Sequence, residues 1–141
     1  MFSTTDAKAL RKQLTPIDLS GPQTEPTPSL TGYRRHYGID NNSIETSHSH
    51  RIGTCRSGNY TLIVQHFQLS GAGAGTAFLL HGYYDHAGLY GHLIRQCLKL
   101  DYSVVIMDLP GHGLSSGKPA SIGSFEEYSD CLLYTSDAAD E

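Results

Sequence analysis

Two apolar runs, each closing on a polar, glycine-containing loop, constrain this chain more than any other feature. The first is Ala77-Phe78-Leu79-Leu80, which ends in His81-Gly82; the second is Ser103-Val104-Val105-Ile106-Met107, which ends in Asp108. Both are continuous rather than alternating, as expected of strands buried on both faces. Between them, residues 88–100 carry Leu89, Leu93, Cys97 and Leu100 at helical spacing, which predicts a helix with that stripe against the sheet. Strand, amphipathic helix, strand is the unit of an α/β fold with a mainly parallel sheet, and the right-handed crossover rule puts helices on both faces. In such folds the loops at the carboxyl ends of the strands hold the ligand.

Upstream, residues 50–56 and 60–69 are rich in Ile, Thr, Val and Tyr, and Ser57-Gly58-Asn59 between them reads as a hairpin turn. Gly71-Ala-Gly-Ala-Gly75 precedes a strand instead of following one, so it reads as a flexible connection and not a phosphate loop. Residues 3–14 predict a short helix capped by Thr5 or Asp6 and stopped by Pro16. Residues 20–31, SGPQTEPTPSLT, read as a Pro/Ser/Thr linker, so 1–31 form an N-terminal helix and linker and the packed domain starts at residue 32. Ser124 followed by Glu127 has the capping-box spacing and predicts the start of another helix.

At a net charge of −4 the chain has no basic surface that would draw it to nucleic acid. No apolar run is long enough for a transmembrane segment. Cys55, Cys97 and Cys131 are too few and too scattered for a disulfide framework or a zinc site, and they fit a reducing, cytoplasmic setting. His48 and His50 form an H-x-H pair with no further ligands in reach; solvent exposure is expected of them, and no metal site is expected anywhere.

The two loops carry a resemblance. His81-Gly82-Tyr-Tyr-Asp-His86-Ala-Gly-Leu-Tyr90, followed by Asp108, Gly111, Gly113, Ser115 and Gly117, is similar to the HGxxxHxxxY and DxxGxGxSxG pattern of α/β hydrolases. Within them it most resembles the branch of monoacylglycerol lipases, lysophospholipases and serine aminopeptidase-like hydrolases. The resemblance covers about residues 32–130 and implies an α/β-hydrolase fold, N-terminal part only. It implies a serine hydrolase of carboxylic esters needing no cofactor, with a small-molecule or lipid ester as substrate. It also implies that the backbone N–H of Tyr83 is one donor of the oxyanion hole, with the other beyond the nucleophile. Gly82 would let that loop turn sharply.

The remaining polar residues have two readings each. His81 reads as a structural imidazole bonded to nearby backbone instead of a catalytic base. Asp85 and His86 read as loop-fixing groups instead of a dyad. Asp108 reads as an acceptor holding the Gly111–Gly113 loop instead of a triad acid, and Ser115 as a local hydrogen-bonding residue. The resemblance places the nucleophilic serine, the acid and the histidine after the helix that begins near Ser124, so no catalytic residue is expected in residues 1–141. A chain limited to these residues would be inactive. It is also expected to fold poorly, with an unpaired sheet edge beside the fourth strand. Two alternatives stay open: a non-catalytic relative that binds a small molecule or partner, and an aspartate-nucleophile hydrolase of the dehalogenase or epoxide hydrolase kind.

Residues 131–141, CLLYTSDAADE, resemble something other than protein. One reading frame of the transposon-end adapter used in short-read libraries translates as C-L-L-Y-T-S-D-A-A-D. The expectation is a non-native tail after Asp130. Without Asp137, Asp140 and Glu141 the net charge would be about −1.

Overall fold

The computed structural model describes residues 1–140. Two short helices come first, α1 (Thr4–Gln13) and α2 (Pro28–His36). A hairpin of β1 (His48–Ser57) and β2 (Tyr60–Leu69) follows, then β3 (Gly75–Leu79), a 3-10 turn (Ala87–Tyr90), α3 (Gly91–Lys99), β4 (Tyr102–Met107) and α4 (Phe125–Asp140). The strands form one sheet in the order β1-β2-β4-β3. β3 and β4 are parallel, as the crossover through α3 requires, with Phe78 opposite Val105 and Leu79 opposite Ile106. β1–β2 and β2–β4 are antiparallel. Among the described residues the sheet is therefore mixed, and its parallel part is the β3–α3–β4 unit. The hairpin supplies the antiparallel part, because a two-residue turn can only reverse the chain.

One face of the sheet packs Ile52, Ile63, Phe67, Val104 and Ile106 against Leu10 of α1, Leu30 and Tyr33 of α2, and Ile94 and Leu98 of α3. The other packs Leu62, Val64, Val105 and Met107 against Cys131 of α4. The Thr135 hydroxyl also donates to Met107 Sδ at 3.2 Å.

Several expectations need correcting. The linker at 20–31 is instead partly helical: Thr27 caps α2 by accepting the Leu30 N–H at 3.2 Å, and Pro28 occupies the first turn, where its missing N–H costs nothing. The preceding segment is tied to the outer edge of β1. Ile17 N–H donates to Thr54 O, Thr54 N–H to Thr15 O, and Thr24 N–H to His50 O. A side chain at Gly53 would meet that arm, with Cβ 2.6 Å from Thr15 O. The arm thus covers an edge that would otherwise offer free backbone groups. The cap of α1 is Ser3, in a reciprocal capping box with Asp6.

The uncovered edge belongs to β3, not β4, since β4 is paired on both sides. β3 is consequently not buried on both faces: Phe78 is 41% exposed, and Leu80, just past the strand, 51%. The α3 stripe is also displaced. Ile94 and Leu98 face the core, while Leu89, Leu93 and Leu100 stay exposed. The helix is apolar on two sides, and the sheet takes the one bearing the i, i+4 pair Ile94 and Leu98. At α4, Glu127 reaches back past Ser124: its carboxylate accepts from the Gly123 N–H at 2.9 Å and the Tyr60 hydroxyl at 2.8 Å.

Candidate active site

Residues 80–86 leave the end of β3, and residues 108–120 leave the end of the adjacent parallel strand β4, so the two loops lie side by side. Asp108 ties them together. It is fully buried, its Oδ1 accepts the Ala87 N–H at 2.7 Å, and its Oδ2 accepts the Leu114 N–H at 2.9 Å. Charge-assisted bonds to two loops at once give this carboxylate a holding role. Gly113 has φ +50, and its missing side chain leaves room for the Asp108 carboxylate: a Cβ there would lie 2.5 Å from Asp108 Cγ. Gly111, at φ +74, packs as tightly against residues 118–121. Arg11 of α1 reaches over from outside, its Nε donating to Leu114 O at 3.1 Å and its Nη2 to Gly113 O at 2.8 Å.

Pattern alone would also offer Ser115 as a nucleophile, because Gly113-Leu114-Ser115-Ser116-Gly117 spells G-x-S-x-G. The geometry argues against it. The Ser115 hydroxyl is buried, donates to Asp108 O at 2.6 Å and accepts the Ile63 N–H at 2.8 Å. It sits in a loop ten residues before α4 begins at Phe125, not at a strand-to-helix elbow. Its proton already has an acceptor, and no imidazole is bonded to the oxygen.

In the β3 loop, the Gly82 N–H donates to the Tyr90 hydroxyl at 3.1 Å, and that hydroxyl donates to Asp85 Oδ2 at 3.1 Å. The left-handed residue of the turn is Tyr84, at φ 67, and not Gly82. At Gly82 what matters is closeness: a Cβ would lie 3.3 Å from Asp85 Oδ2. His86 and Asp85 are not bonded to each other. His86 caps the 3-10 turn, its Nδ1 accepting the Gly88 N–H at 3.2 Å, and its ring packs on Tyr37. Burial pushes its pKa down, against the opposing pull of Asp108.

His81 is buried; its Nδ1 pairs with Gly82 O at 2.8 Å and its Nε2 accepts the Leu109 N–H at 2.9 Å. His112, a residue the glycine spacing does not single out, is equally buried. Its Nδ1 pairs with Pro110 O at 2.9 Å, and its Nε2 accepts the Tyr84 N–H at 3.2 Å. Only the conjunction of a histidine between two glycines and a facing β3 loop could have marked it. The Tyr83 side chain is 63% exposed, and its hydroxyl donates to Ala120 O at 2.9 Å. Among the described residues, the Tyr83 N–H has no acceptor.

A cavity of about 290 Å³ opens beside Tyr83, walled by Leu80, Leu109, His112, Phe125 and Tyr128. A larger one, about 360 Å³, lies under the N-terminal arm between Leu10, Ile17 and Ile52, away from the strand ends. The H-x-H pair is not solvent-exposed as a unit. His50 is buried, accepts the Arg34 Nε–H at Nδ1 (2.9 Å) and bonds Gln65 Oε1 through Nε2 (2.9 Å); burial and the Arg34 charge push its pKa well down.

Residues 72–139 match the family described as Serine aminopeptidase, S33. A hypothetical protein of Pseudomonas aeruginosa superimposes with a TM-score of 0.56 at 14% identity, covering 67% of this chain and 31% of its own. A candidate lipase of Acinetobacter baumannii superimposes at 0.52 and 18% identity, covering 87% of this chain and 36% of its own. This chain carries the N-terminal part of an α/β-hydrolase fold. It spans about a third of the length of those two structures. No curated protein matches it in sequence. Among the described residues, no helix is long and apolar enough to cross a membrane.

Proposed function

We propose that the chain is the N-terminal portion of a serine hydrolase of carboxylic esters, of the lysophospholipase or monoacylglycerol lipase kind. The observation that carries this reading is the backbone N–H of Tyr83, in the loop after β3, which has no acceptor among the described residues while the neighbouring Gly82, Tyr84 and Asp85 N–H groups are all bonded. Attack on an ester carbonyl moves negative charge onto its oxygen. A donor already fixed in place meets that charge without reorganising, which is worth a factor of about 10²–10³ in rate. Tyr83 supplies the donor from its backbone and one wall of the apolar cavity from its side chain. Leu80, Leu109 and Phe125 complete walls suited to an acyl chain. By the resemblance, the serine, the acid that orients the base, and the base itself belong to native sequence downstream of Asp130. No cofactor is needed, and the two cysteines before the proposed tail, Cys55 and Cys97, suit a cytoplasmic setting.

Residues 131–141 remain, in this proposal, translated adapter; the support is the codon match. The test of the function uses the complete gene product with p-nitrophenyl butyrate and a fluorophosphonate label. Tyr83→Pro, which deletes the N–H, should lower kcat by about 10²–10³-fold. Tyr83→Ala, which keeps it, should change kcat far less. Equal losses in both variants, or no labelling of the parent, would defeat the reading. The chain of residues 1–141 alone should neither hydrolyse the ester nor take the label.

A further inference from the structure

His81 and His112 make the same pair of bonds in opposite directions. His81 comes from the β3 loop and takes the N–H of Leu109 in the β4 loop; His112 comes from the β4 loop and takes the N–H of Tyr84 in the β3 loop. Their rings lie 5.1 Å apart, and Tyr83 packs 5.8 Å from the ring of His112. A ring nitrogen that accepts a backbone N–H must be bare. A ring nitrogen facing a carbonyl oxygen must carry hydrogen. Each imidazole is thereby fixed as the neutral form with hydrogen on Nδ1, donating to Gly82 O and Pro110 O respectively.

We propose that His112 is a positioning residue for the Tyr83 N–H, acting as the neutral Nδ1–H form in a reciprocal brace with His81. It works by occupation. His112 takes the N–H of Tyr84, which holds the left-handed turn at that residue and leaves the preceding N–H, without an acceptor among the described residues, as the donor. The Tyr83 hydroxyl anchors the far side on Ala120 O. Without the brace, the peptide units on either side of Tyr83 would be free to rotate, and the donor would lose its fixed direction. The inference rests on the role proposed for Tyr83 but is tested without catalysis.

The experiment is nitrogen NMR on the isotope-labelled complete gene product, read together with amide exchange. Both histidines should show hydrogen on Nδ1 and a bare Nε2. The Tyr84 and Leu109 amides should exchange slowly and the Tyr83 amide fast. His112→Phe keeps the ring volume but removes the acceptor; the Tyr84 amide should then exchange about tenfold faster, the loss expected of one hydrogen bond, and the Tyr83 amide resonance should move. His112→Gln, which keeps an acceptor, should recover part of both changes. Hydrogen on His112 Nε2 in the parent protein, or a Tyr84 amide indifferent to His112→Phe, would overturn the proposal. The parent measurement decides even if a variant fails to fold. An intact brace in a gene product that hydrolyses no ester would defeat the proposed function and leave the brace standing.

Discussion

Gly113→Ala should be strongly damaging for so small a substitution, and its cost follows from the geometry around Asp108. The residue sits at φ +50, a left-handed conformation that costs an alanine roughly 1–2 kcal/mol. The new Cβ would also lie 2.5 Å from Asp108 Cγ and 2.8 Å from Asp108 Oδ1, so the buried carboxylate must move. It holds the Ala87 and Leu114 N–H groups, and losing one such bond to a charged group costs about 1.5–3 kcal/mol. The sum is about 2.5–5 kcal/mol, a large share of the 5–15 kcal/mol typical of a folded domain. Gly32→Ala is the control: Gly32 lies inside α2 with open space where Cβ would go, so it should stabilise by roughly 0.5–1 kcal/mol. Urea unfolding of the complete gene product, followed by circular dichroism, measures both. A Gly113→Ala chain within about 1 kcal/mol of the parent, with an unchanged urea slope, would refute the account of Asp108.

Two further outcomes follow from the buried polar groups. His50 is held neutral by burial and Arg34, so below its ordinary value near 6.5 the unfolded chain binds a proton that the folded chain refuses. Its contribution is present above about pH 6.5 and is lost as pH falls from there toward its depressed folded value. His66 and His86, also depressed mainly by burial, act in the same direction. Unfolding free energies between about pH 5 and 8 should fall toward acid, and His50→Phe should flatten the slope; a parent that gains stability toward pH 5 would contradict this. Ser115→Ala should cost about 2–4 kcal/mol by stranding the Ile63 N–H and the Asp108 carbonyl. In the complete gene product it should leave fluorophosphonate labelling intact, and loss of the label would reinstate Ser115 as nucleophile.

What was legible in the sequence followed from short-range physics. β1, β2 and β4 announce themselves through β-branched runs, and the ends of β3 and β4 through residues whose spacing the loops fix. The register of the α3 face was not legible, since Leu93 and Ile94 are equally apolar and only the sheet decides between them. The 20–31 segment reads as a linker by composition, yet it contains Thr27-Pro28, a good helix start, and a backbone that pairs with β1. Burial of His50 depends on Arg34, Gln65 and Tyr33 meeting across α2, β1 and β2, which no local pattern records. In the loops the glycines, Asp108 and His81 stood out, while His112 did not, because its partner Tyr84 lies in the other loop.

The most direct test is the sequence of the gene across and beyond the codon for Asp130. The account predicts that the frame runs on through the rest of a helix and a further strand into a new G-x-S-x-G, with an acid and a histidine later still. Glycine, alanine or aspartate in place of that serine, or CLLYTSDAADE encoded in the gene and followed by a stop, would contradict the serine hydrolase.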